Sequence, residues 1–61
     1  MDIQAVIDAL NAGDMHKAAT LLNIAGDEAS EAVDFAHTAD ARIGLDKLAT
    51  HLWDAAVDIC T

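Results

Sequence analysis

AGDMHKAATLLNIAGDEASEAVDFAHTADARIGLD, residues 12–46, holds every glycine of the chain, and where its helices are cut decides the fold. The triplet Ala-Gly-Asp occurs in it twice, at 12–14 and 25–27. Glycine reaches the left-handed conformation that closes a helix, and aspartate accepts a hydrogen bond from the orphan amides that open the next. Each Gly-Asp pair then reads as a stop followed by a start. A phosphate-binding loop would need more glycines or a lysine at the turn, usually after a strand. A helical repeat would need a period of about 33 residues or more. Punctuation between helices is the reading that remains.

The apolar spacing on either side agrees with it. Ile3, Val6, Ile7 and Leu10 recur at i, i+3, i+4 and i+7 after an N-cap at Asp2, with Met1 and Val6 at hydrophobic-staple spacing. Met15, Ala18, Ala19, Leu22 and Ala25 share a second face, up to Gly26. Asp27 opens a third segment carrying Ala29, Ala32, Val33, Phe35, Ala36, Ala39 and Ile43, up to Gly44. Leu45, Leu48, Ala49, Leu52, Trp53, Ala56, Ile59 and Cys60 form a fourth stripe. The pattern predicts an all-α, compact bundle of four short helices at about 3–12, 15–25, 28–43 and 45–60, a single domain over 1–61.

Composition supports the class. The chain has 61 residues, of which 54% are hydrophobic; fourteen are alanine, the best helix former, and none is proline. A chain of about 60 residues buries only roughly 60% of its unfolded surface, so small domains lean on disulfides, metals, self-association or very good packing. Cys60 is the one cysteine, and no Cys/His spacing resembles a zinc site. Packing and self-association are left. Eleven acidic residues face three basic ones, a net charge of −8. Such a charge repels nucleic acid and anionic membrane and favours basic partners. No leader or long apolar run appears, which gives a cytoplasmic setting as the expectation.

Residues 17–36 resemble a helix-turn-helix, two short helices meeting at a glycine-containing turn. The second helix would enter the major groove with Asp27, Glu31 and Asp34 on its solvent side, where carboxylates meet phosphates of like sign. Direct nucleic-acid binding is disfavoured on that ground.

The same acidic residues recur as a pattern. Asp27, Glu31 and Asp34 fall on one side of one helix, and Asp54 and Asp58 on one side of another, with Asp8 on the first. Every soluble helix has a solvated face. Yet Asp27 with Glu31, and Asp54 with Asp58, are like-charge pairs four residues apart, and Asp58 sits near a helix C-terminus. Both features cost helix stability. An acidic face for a basic partner accounts for them; so does adaptation to high salt.

Candidates for chemistry are few. Asp34 and His37, and His51 and Asp54, are placed symmetrically about Gly44, but the helical wheel puts the two histidines on opposite flanks of an antiparallel pair, against a shared metal. Thr20, Ser30 and Cys60 have no positioned base. Neither an enzyme nor a cofactor is expected. The widest apolar stripe, on the fourth helix, offers Leu48, Leu52, Trp53, Ala56, Ile59 and Cys60 as an interface, including one for a homodimer, with Trp53 as its anchor.

These features predict a small acidic protein-binding regulator or inhibitor. Asp27, Glu31, Asp34, Asp54 and Asp58 would occupy the basic site of a protein partner that handles nucleic acid. Virus-encoded counter-defence proteins share that size and charge. The alternatives are an oligomerisation or adaptor domain using the fourth helix, and a degenerate helix-turn-helix regulator.

Overall fold

The computed structural model describes residues 2–60 and is built of three helices, α1 (Ile3–Asn11), α2 (Met15–Val33) and α3 (Ala39–Cys60). The all-α class holds; the four-helix division does not. α2 runs straight through Gly26-Asp27, and α3 runs straight through Gly44. The break lies instead at 34–38, a stretch with neither glycine nor proline. A helix-turn-helix turn at Gly26 is excluded with it, since residues 17–33 are one helix.

The first boundary forms as its residues dictate. Asp2 caps α1 by accepting from the Ala5 amide at 3.3 Å; its neighbour Met1 and the staple with Val6 lie outside the described residues. Gly13 has φ +77°, and the amides of Gly13 and Asp14 close back on the carbonyls of Leu10 and Ala9 at 3.1 and 2.9 Å. That paired closure is a Schellman stop, which needs the left-handed residue that glycine supplies. Asp14 then caps α2, accepting from the Lys17 amide at 3.1 Å.

Gly26 is helical for a tertiary reason. The Trp53 indole of α3 lies directly over it, so that a Cβ at Gly26 would run into the indole nitrogen and Cδ1. The missing side chain lets α3 approach α2 rather than ending α2. Gly44 faces open space, and its cost of about 1 kcal/mol against alanine is carried by the length of α3. At the true break, the amides of Asp34, Phe35 and Ala36 bond three residues back, to Glu31, Ala32 and Val33, at 3.2, 3.1 and 3.2 Å. α2 thus tightens as it ends. Thr38 restarts the chain, its Oγ1 accepting from the Ala41 amide at 3.0 Å, and Asp40 adds a carboxylate at the positive end of α3.

α1 and α3 each pack on α2. Buried apolar residues are Val6, Leu22 and seven alanines: Ala9, Ala18, Ala19, Ala25, Ala29, Ala49 and Ala56. Val6, Ala19, Leu22 and Ala56 form the central cluster, with Leu21, Leu52, Ala55 and Ile59 half-buried against it. Alanine lets helices lie close but removes little apolar area from water per residue. Among the described residues, no large side chain is fully buried. The shape follows: 39 × 21 × 13 Å, with a radius of gyration of 12.4 Å. A compact chain of this length would have about 10.5 Å.

Candidate interaction surfaces

The carboxylates sort by what each does for its helix. All eleven are exposed. Asp2, Asp14 and Asp40 sit at helix N-termini, as caps or in the first turn, where negative charge stabilises. Asp27 acts across helices instead. Its Oδ1 accepts from the Trp53 indole N–H at 3.2 Å, fixing the ring over Gly26. It opens no helix, contrary to the sequence expectation.

Glu31 and Asp34 are placed against helix stability. Glu31 lies in the last turn of α2 and Asp34 is its C-cap residue, and that last turn carries no basic side chain. Carbonyls already make this end negative, so each carboxylate there is disfavoured by some tenths of a kcal/mol. Asp27 and Glu31 lie on one outward edge of α2 because α2 is continuous through them, and the C-cap Asp34, still at helical φ −66° and ψ −20°, follows on that edge. Asp54 and Asp58 lie on the side of α3 roughly 140–180° from its α2-facing Ala49–Ala56 line. The structure therefore gives two separate acidic edges instead of the single partner-facing surface that side-by-side acidic helices would make.

The expected apolar interface also divides. Ala56 is core, and Leu52 and Ile59 are half-buried against the core. Trp53 is held by Gly26 and Asp27, so it is largely committed within the chain though 37% exposed. Cys60 is exposed. Leu48, 45% exposed, is the one of the six that is both large and uncommitted. α1 contributes what the sequence reading overlooked. Ile3, Ile7 and Leu10 are exposed along one edge, because of the α1 stripe only Val6 is buried, together with Ala9, which the stripe did not include. The spacing i, i+4, i+7 was visible; which half of the stripe the core would use was not.

Ile24, off the main face of α2, borders a shallow groove of about 180 Å³ with Asp2, Val6, Leu21, Ala25 and Glu28. Among the described residues no three His, Cys, Asp or Glu side chains are grouped to hold a metal ion. His37 lies in the 34–38 connection and His51 within α3, so the symmetry about Gly44 has no structural counterpart. Among the described residues no helix is long and apolar enough to cross a membrane. Compared with protein-family models, curated proteins and solved structures, the chain matches none.

Proposed function

We propose that this protein is a small acidic regulator that acts by binding a protein with a basic surface, the outward edge of α2 making the contact. One observation carries the reading: Glu31 and Asp34 stand at the C-terminal end of α2, where they weaken the helix that bears them. Residues placed against stability in a domain this small are accounted for by a role outside the fold. A nucleic-acid-handling protein supplies a basic site of the right kind, since its ligand is also a polyanion.

The informative substitutions do not threaten the fold. Glu31→Lys with Asp34→Lys places cations at the negative end of α2 and should raise its stability. Partners captured from host lysate by the unaltered protein should be released by salt and displaced by duplex DNA, and the double variant should capture none of them. Capture that survives both salt and the double variant would refute the proposal.

A second reading, an oligomerisation or adaptor domain, is favoured by a different observation: Ile3, Ile7, Leu10 and Leu48 are each at least 38% exposed while, among the described residues, no large side chain is fully buried. The two readings use different elements and are compatible.

A further inference from the structure

The groove beside Ile24 pairs an apolar floor with two carboxylates. The turn at Gly13 folds α1 back along α2, which brings Asp2, the N-cap of α1, to the same groove as Glu28. Leu21, Ile24, Ala25 and Glu28 follow i, i+3, i+4 and i+7, so they share one side of α2. Val6 and Ala25 are buried, Leu21 is half-buried, and Ile24 is 49% exposed beside the exposed Asp2 and Glu28. Asp2 Oδ1 accepts from the Ala5 amide at 3.3 Å, and a carboxylate has room for further donors. Its charge also offsets the positive end of α1, which would otherwise repel a cation here. Among the described residues that border the groove, none is basic. On the helical wheel Glu28 lies roughly 60° round from Glu31, so the groove opens next to the acidic edge of α2.

We infer that this groove receives one lysine or arginine side chain of the basic partner, the aliphatic stem lying on Val6, Leu21, Ile24 and Ala25 and the cationic head meeting Asp2 and Glu28. The inference rests on the proposed function and gives that contact its anchor. Size supports it. At about 180 Å³ the groove is smaller than the roughly 300–1,000 Å³ of small-molecule and cofactor sites, and it suits a single side chain. Chemistry supports it as well. Lysine and arginine are the side chains that bury a stem of methylenes on apolar surface while their charge stays at the water's edge. An anion would face two carboxylates of like sign. A wholly apolar anchor would cover the floor but desolvate both carboxylates with no charge to offset the loss. A short cation would meet the carboxylates and leave Leu21 and Ile24 in water. A long basic side chain satisfies both parts of the groove.

Two peptide probes separate this site from general attraction to an acidic surface. One is octalysine; the other is the matching oligomer of diaminobutyrate, which below neutral pH has the same charge on a stem two carbons shorter. Amide NMR shifts of the full chain give site and affinity together. Octalysine should shift Val6, Ile24 and Ala25 and bind about threefold or more tightly than the shorter oligomer, because its stem covers the floor. Ile24→Ser, at an exposed position, should remove that preference. Asp2→Asn with Glu28→Gln should weaken octalysine about fivefold or more while the N-cap is kept, since asparagine caps as well as aspartate. Circular dichroism checks that these variants keep their helix content. Equal affinity for the two oligomers, or shifts that avoid Val6, Ile24 and Ala25, overturns the inference. Capture from host lysate then tells the failure of the groove from the failure of the function it rests on. If Glu31→Lys with Asp34→Lys loses the partners but Asp2→Asn with Glu28→Gln keeps them at full strength, the groove is excluded and the proposed function stands. If Ile24→Ser weakens capture and Asp2→Asn with Glu28→Gln does not, the anchor is apolar and the inference fails. If the unaltered protein captures no basic protein, the proposed function fails, and the inference with it.

Discussion

Ala12-Gly13-Asp14 and Ala25-Gly26-Asp27 are the same three residues in opposite structural roles. At the first, glycine takes φ +77°, the chain turns, and aspartate caps the next helix. At the second the glycine stays helical and the aspartate hydrogen-bonds the Trp53 indole of a helix met far along the sequence. Local preference is the same in both, so the difference is tertiary. Gly13 has nothing near its absent Cβ, whereas Gly26 lies under an indole ring. Glycine offers two freedoms, a left-handed backbone and the absence of a side chain. The first triplet uses one and the second uses the other.

The contrast is tested most severely at Gly26. Gly26→Leu should destabilise by about 3 kcal/mol or more, because the side chain must push Trp53 off α2 and part the α2–α3 seam. Gly26→Ala should still lose about 1–3 kcal/mol, even though alanine is the better helix former. Gly13→Ala should cost about 1–2 kcal/mol by a different route, the strain of a Cβ in the left-handed region. Urea unfolding at one fixed protein concentration gives both values. If Gly26→Ala were stabilising, the indole would not lie over that position. Asp14→Ala, which removes the cap at the first triplet, should cost about 1 kcal/mol. Gly44→Ala should differ from both glycine variants in sign: with open space around it and helix on both sides, it should stabilise by up to about 1 kcal/mol.

These differences show what the sequence discloses and what it withholds. The helical class, α1, the Gly13-Asp14 junction and the caps at Asp2 and Asp14 follow from local chemistry and were legible. The fate of Gly26 depends on a residue 27 positions away, Trp53, and no local pattern reports such a contact. With Gly26 taken as a stop, the real break at 34–38 had to be read through. Its one positive signal is Thr38 followed by Asp40, a cap with an acidic first turn, easily lost in a run of alanines. The acidic edge of α2 was legible as a spacing, but its meaning depends on where the helix ends. Moving that end from Gly26 to Val33 turns Glu31, in the first turn of the expected third helix, and Asp34, inside it, into carboxylates at the disfavoured terminus.

The smallest expected effect concerns the second triplet's aspartate. Asp27→Ala removes an acceptor from the Trp53 N–H, but at an exposed position, so water replaces much of the lost bond. It also relieves the like-charge pair with Glu31 four residues on, worth a few tenths of a kcal/mol in the other direction. The two contributions oppose, and the net change should lie within about 0.5 kcal/mol of zero. A single variant therefore cannot tell an anchored indole from an idle one. The double-mutant cycle with Trp53→Phe can, because the Glu31 contribution appears in both halves of the cycle and cancels. A coupling of about 0.5–1.5 kcal/mol between Asp27 and Trp53 would show the hydrogen bond acting in solution. A coupling near zero would leave shape alone, the indole lying on Gly26, as what keeps the second triplet helical.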